Sequence, residues 1–282
     1  MKILVTGSKG YLGSSFINQY KGVYFFKNFS LLNKKLDDID LNGIDVILHC
    51  AALVHQKVEY SYEKYYEINV AYPVKLAELA KQRGVRHFIF ISTIAVYGEE
   101  AQLITENTLC NPVTNYGKSK LEAEKQLFAL ENHEFKVSVI RAPMVYGKNA
   151  PGNIESLVRI VKQFSVLPLG KIQNKRSFVY VGNLCYLINE VIRQEKTGLF
   201  LASDDEPIST TRLIELIEKY LYKKVYLIKI PFFETIIQLL KPSFHKRLYG
   251  NLEINNFLTR QKLNLKNPYS VEDGIKLMIQ GE

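Results

Sequence analysis

The chain has 282 residues, 47% of them hydrophobic and 23% charged, enough for one large α/β domain or a domain with a smaller satellite, and nothing in this composition marks disorder. A formal net charge of +9 suits an anionic partner. The lysines and arginines are scattered among Asp and Glu, with only short clusters such as Lys223-Lys224 and Lys246-Arg247, which argues for an anionic small substrate over nucleic acid.

The opening stretch MKILVTGSKGYLG carries an apolar run, Ile3 to Val5, and then Gly7, Gly10 and Gly13 spaced three apart. This pattern predicts a buried parallel strand, a tight turn and a helix start. Glycines let a pyrophosphate approach such a turn, and the helix N-terminus offers it unpaired N–H groups. After a helix starting near Ser14, Val23 to Phe26 reads as a second strand and Val46 to Cys50, followed by Ala51-Ala52, as a third. Glu67 to Arg83 has helical spacing and stops at Gly84, Phe88 to Ser92 is the next strand, Asn115 to Glu131 a long helix, and Val137 to Ile140 another strand. Short apolar runs alternating with helical stretches indicate βαβ units and a parallel sheet.

Around Ala150 the rhythm changes. Beyond it we expect a helix near Ile154 to Gln163, a strand at Phe178 to Val181, a helix at Leu184 to Arg193, a strand at Gly198 to Leu201 and a helix at Thr211 to Tyr222 with Thr210 as its N-cap. Pro231 to Pro242 (PFFETIIQLLKP) reads as an apolar, core-facing helix of the second part, in preference to a membrane-surface helix. The expected division is a dinucleotide-binding domain over 1–150 and a smaller substrate lobe over 151–282, interleaved with it. A site at the junction with the strand ends is the default. Cys50, Cys110 and Cys185 are far apart and lack any metal-ligand or CxxC spacing. With an apolar start too short for a signal peptide and no run near the ~20 residues that span a bilayer, they point to a cytoplasmic protein without metal.

Chemistry is expected where a strand ends in Ser92-Thr93 (FISTIAVYG). Downstream, Tyr116 and Lys120 in NYGKSKLEAEK lie four apart on one helix face. An ammonium beside a phenol favours the phenolate, so Tyr116 can act as general acid or base, with Thr93 holding a substrate oxygen. The spacing alone is uninformative, since Tyr60 with Lys64 and Tyr220 with Lys224 repeat it. Only the pair at Tyr116 follows a strand ending in hydroxyls and opens a long helix.

Taken in order, TGSKGYLG, LHCAA, STIAVYG, the Tyr116/Lys120 pair, RAPMVYG and KRSFVYVGNL resemble the extended short-chain dehydrogenases/reductases of the nucleotide-sugar epimerase and reductase type. The resemblance implies a Rossmann-type doubly wound parallel sheet, a small C-terminal lobe for the nucleoside diphosphate, and a homodimer through helices flanking the sheet; Leu121, Leu127, Phe128 and Leu130 could serve that interface or the core. It assigns Thr93 rather than Ser92 the catalytic hydroxyl role, Tyr116 the acid/base role, and Lys120 contact with the nicotinamide ribose. Gly7, Lys9, Gly10, Tyr11, Leu12, Lys27, Ala51, Ala52, Asn69 and Pro143 would line the cofactor, and Arg176 would contact the substrate diphosphate or its ribose.

The family usually places an acidic residue at the end of the second strand to accept the adenosine ribose hydroxyls, whereas aligning VYFFKN puts Lys27 there. Together with Lys9 this favours NADP(H) over NAD(H), and with it net reduction. LPLG before the KRSFVYVGNL motif and the closing RLYGNLEINNFLTRQKLNL are most similar to bacterial reductases of UDP-4-keto-6-deoxy-N-acetylhexosamines, which supply capsule and O-antigen sugars. A UDP-hexose 4-epimerase with retained NAD and a non-catalytic NADP-binding protein are the alternatives.

Overall fold

A computed structural model of the chain describes residues 1–29, 36, 39–54 and 60–281. The first half alternates strand and helix. It runs β1 (Lys2–Thr6), α1 (Tyr11–Tyr20), β2 (Phe25–Phe29), β3 (Val46–His49), α2 (Tyr62–Tyr66), a π-helical turn (Glu67–Ala71), α3 (Tyr72–Gln82), β4 (His87–Thr93), β5 (Leu103–Ile104), α4 (Asn115–Ala129) and β6 (Lys136–Ala142). The second half contains β7 (Val145–Tyr146), α5 (Asn153–Gln163), β8 (Val166–Leu167), β9 (Val179–Tyr180), α6 (Val181–Arg193), β10 (Gly198–Leu201) and α7 (Thr210–Leu221). It closes with β11 (Tyr226–Leu227), α8 (Phe233–Leu240), α9 (Pro242–Tyr249), β12 (Glu253–Ile254), α10 (Phe257–Leu263) and α11 (Val271–Gln280).

Six strands form one parallel sheet in the order β10-β6-β4-β3-β1-β2. Strand side chains alternate between faces. Ile3 and Val5 therefore join Phe16 and the α6 residues Leu184, Ile188 and Val191 on one face, while Leu4 joins Ile47, Phe88 and the helical Leu76, Ala80, Ala123 and Leu127 on the other. Both faces are covered, which is the doubly wound arrangement the alternating pattern implies. A third cluster, built from α5, α7 and α11 with Tyr146 and Tyr180, is the core of the C-terminal part. Within that part the chain also adds α6 and the edge strand β10 to the main sheet.

Several boundaries differ from the sequence reading. Val23 and Tyr24 belong to a turn closed onto the Tyr20 carbonyl, so the second strand begins at Phe25 and runs to Phe29. The helix expected from Glu67 begins at Tyr62 and passes through the π turn, where Asn69 sits. Ser209, not Thr210, caps α7 by accepting from the Arg212 N–H, while the Thr210 hydroxyl donates to the Leu248 carbonyl. The apolar stretch after Pro231 is a helix, but it is not core-facing: none of the residues of α8 is buried, and Leu239 and Leu240 are each 76% exposed.

Candidate active site

Beyond β1 the chain turns through Gly7, whose φ of +67° lies in the left-handed region. A Cβ there would stand 2.8 Å from the Ala51 nitrogen, and one on Gly13 would stand 2.5 Å from the Gly7 carbonyl oxygen. These glycines let the turn pack against the loop after β3 and against the start of α1. Gly10 caps α1 without a side-chain hydrogen bond, leaving the first-turn N–H groups and the positive helix end for an anion. The Leu12 side chain packs into the core, so its contribution to that end is its backbone N–H.

Three further features frame a cofactor. Asn69, carried inward by the π turn, accepts from the Leu53 N–H (2.8 Å) and donates to the Leu53 carbonyl (3.0 Å) and Ser119 Oγ (3.1 Å). It thereby braces the loop carrying Ala51 and Ala52 against α4. Pro143 lines the same cavity as Tyr11. The Tyr11 hydroxyl is buried without a partner among the described residues, and a buried polar group left so calls for a ligand or water. Turn, helix end and orphaned hydroxyl together fit a dinucleotide.

The catalytic candidates converge. Thr93 is the last residue of β4, and its hydroxyl accepts from the Ala95 N–H. Thr114 caps α4 through the Gly117 N–H (3.0 Å), and Gly117 allows that first turn to close on Ala95, since a Cβ there would lie 2.7 Å from the Ala95 oxygen. This places Tyr116 beside Thr93. Contrary to the lowering expected from a neighbouring Lys120 ammonium, burial pushes the Tyr116 phenol up to about 12, partly offset by a hydrogen bond with Thr93. One turn on, Lys120 is 1% exposed with its ammonium 3.7 Å from the Phe90 ring centroid. Burial drives it down to about 7 against the upward pull of Glu124 and Cys50.

Ser92 is engaged elsewhere. It is buried and donates to the Glu124 carboxylate, which also receives Arg141 at 2.5 to 3.1 Å. A 790 Å³ cavity is lined by Thr93 and Tyr116 and also by Arg176, Lys246 and Arg247. Arg176 donates to the Lys246 and Gly250 carbonyls, and burial together with the nearby Arg247 lowers its pKa. No carboxylate among the described residues pairs with Arg176 or Arg247. Sequence reasoning singled out Arg176 but missed the pocket role of Lys246 and Arg247, which were legible only as a basic pair.

The cofactor reading loses one of its two lysines. Lys27 pairs with Leu4 in the sheet register, two residues before the end of β2. Its ammonium is engaged by the Asp40 carboxylate (2.5 Å) and carbonyl (2.7 Å). The alignment that put Lys27 at the strand end slipped because the strand runs on to Phe29. Lys9 remains exposed beside the glycine turn.

Comparison with known proteins agrees with this geometry. The model of the NAD dependent epimerase/dehydratase family matches residues 3–199. A UDP-glucose 4-epimerase of Vibrio cholerae is 34% identical over 310 aligned residues, covering 99% of this chain and 94% of that protein. A Bacillus cereus UDP-glucuronic acid 4-epimerase in complex with NAD superposes with a TM-score of 0.79 at 20% identity, covering 100% of this chain and 98% of its own. A dTDP-4-dehydrorhamnose reductase from Clostridium acetobutylicum gives 0.79 at 22% identity and 99% of both chains. At these identities the two structures speak for the fold.

Proposed function

Because the chain belongs to the NAD dependent epimerase/dehydratase family, and so to the NAD(P)-dependent nucleotide-sugar enzymes, we propose that it reduces the C4 carbonyl of a UDP-4-keto-6-deoxy-N-acetylhexosamine with NADPH. The observation that carries this reading is the convergence of Thr93, Tyr116 and Lys120 at a cavity that Arg176, Arg247 and Lys246 also line, the last paired with Glu99 and Glu100 of the same lining. Arg176, Lys246 and Arg247 would hold the diphosphate, which delivers the sugar to the hydroxyls.

The glycine turn, the α1 N-terminus, Tyr11, Ala51, Ala52, Pro143 and Lys120 would hold the dinucleotide, whose nicotinamide supplies the hydride. Thr93 donates a hydrogen bond to the carbonyl oxygen and polarises it. Tyr116, held protonated by burial, gives its proton to that oxygen as negative charge develops. Lys120, protonated in that complex, stabilises the phenolate that remains. Asn69 keeps the loop over the cofactor in place through Leu53. NADP(H) as cofactor now rests on Lys9 alone. A homodimer also belongs to this proposal, although Leu127 is spent in the core and Leu121, Phe128 and Leu130 pack partly against it.

The test is incubation of purified protein with NADPH and UDP-4-keto-6-deoxy-N-acetylhexosamine, reading NADPH loss and the product by NMR. A second reading, a UDP-hexose 4-epimerase, is favoured by the Vibrio relative. Protein that carries bound NAD and interconverts UDP-glucose and UDP-galactose with no added cofactor, while leaving NADPH unconsumed, replaces the first reading with the second.

A further inference from the structure

Helix α8 is apolar around most of its circumference. Phe233 and Ile237 turn partly inward, whereas Phe232 (80% exposed), Ile236, Leu239 and Leu240 lie on the surface, joined by Phe244 of α9 and by Ile228 and Ile230 before the helix. Only Glu234, Thr235 and Gln238 break the run. A helix this apolar belongs in a core or in another apolar phase, and the fold buries none of its residues.

Charge selects the phase. Residues 223 to 247 contain six Lys or Arg and a single acid, Glu234, whose carboxylate faces His245 at 3.2 Å; of the six cations, Lys246 is paired with Glu99 and Glu100 from outside the segment. Lys229 and Lys241 bracket α8, exposed and without a carboxylate partner among the described residues. A second copy of the chain docked two-fold on this face would set the same cations against one another. Apolar side chains bracketed by the unpaired Lys229 and Lys241 suit an anionic lipid surface, where the lysines meet headgroups and the leucines enter the acyl boundary. We propose that the α8–α9 hairpin seats the protein on an anionic membrane surface. Since α9 also supplies Ser243, Lys246 and Arg247 to the cavity wall, the cavity then opens beside the lipid.

The experiment is co-sedimentation of the full chain with vesicles of phosphatidylcholine alone or with phosphatidylglycerol. Wild type is expected to pellet with the anionic vesicles, less so as salt rises, and to stay in solution with phosphatidylcholine. Leu239→Ser/Leu240→Ser should lower partitioning at least about tenfold, with an unchanged melting temperature because both side chains are exposed. Lys229→Ser/Lys241→Ser, which spares the apolar face, should do the same at moderate salt. Equal pelleting of wild type and both variants overturns the proposal. So does a wild-type dimer that Leu239→Ser/Leu240→Ser converts to monomer without any wild-type vesicle binding.

Discussion

Removing the Glu124 carboxylate tests how the active-site helix is anchored. In the native chain the Arg141 guanidinium and the Glu124 carboxylate are 8% and 2% exposed, joined by three N–O contacts, and Ser92 donates to the same carboxylate. Glu124→Leu leaves Arg141 charged and buried with no counter-ion, which costs about 3–5 kcal/mol. The stranded Ser92 hydroxyl adds about 1 kcal/mol. With a urea slope of roughly 3 kcal/mol per M for a chain of this size, the midpoint should fall by between about 1 and 2 M. The companion variant Glu124→Leu/Arg141→Met removes both charges, and a buried pair replaced by apolar residues is near neutral, so it should recover most of the loss. Urea unfolding followed by circular dichroism reads both. A single variant within about 0.3 M of wild type, or a double variant less stable than the single, refutes the anchoring argument.

Four other outcomes follow from the same geometry. Tyr116→Phe should lower kcat by a factor of about 10² to 10⁴ while leaving cofactor affinity intact, because it removes only the proton donor; steady-state kinetics with a cofactor titration checks both halves. Gly13→Ala drives a Cβ against the Gly7 oxygen, and misplacing the turn should weaken cofactor binding by about tenfold to a hundredfold by calorimetry. His49 and His87 are buried with pKa values lowered to about 3 and about 4, mainly by burial. As pH falls below the unfolded value of ~6.5, the unfolded chain takes up protons the folded one refuses. Stability should therefore drop by up to ~1.4 kcal/mol per pH unit per histidine until about pH 4, and equal urea midpoints at neutral pH and near pH 5 would contradict this. Lys9→Ala should weaken NADPH relative to NADH on the order of tenfold, whereas Lys27→Ala, which breaks only a partly exposed pair with Asp40, should leave the ratio unchanged.

What could be read in advance depended on whether a residue's role follows from its neighbours in sequence. The glycine turn qualified, because a strand, three glycines and a helix start leave the backbone one arrangement. The placement of Thr93, Tyr116 and Lys120 near one another qualified through the order of their elements. Residues whose role is set across the sheet did not. The resemblance gave the hydroxyl role to Thr93 rather than Ser92, but the Glu124 carboxylate that holds Ser92 comes from a distant helix and could not be read from its neighbours. The register that moves Lys27 away from the end of β2 depends on the turn at Val23 and Tyr24, which no local propensity announced. Helix α8 misled because its composition specifies an apolar surrounding without saying whether protein supplies it.

Helix α4 carries three of these residues in one row. Tyr116, Lys120 and Glu124 stand four apart on one face, so the proposed proton donor, the buried lysine and the anchoring carboxylate are stacked one turn above the next. Glu124 is committed to Arg141, which leaves Lys120 surrounded by Phe90 and the sheet rather than by a full counter-charge. That is why its ammonium falls to about 7, near the working pH, instead of remaining fixed as a permanent cation. Replacing Glu124 should therefore lower the Lys120 pKa further as well as loosening the helix. The two effects separate experimentally: a loosened helix lowers kcat at every pH, whereas a detuned lysine moves the alkaline limb of the kcat/KM profile to lower pH.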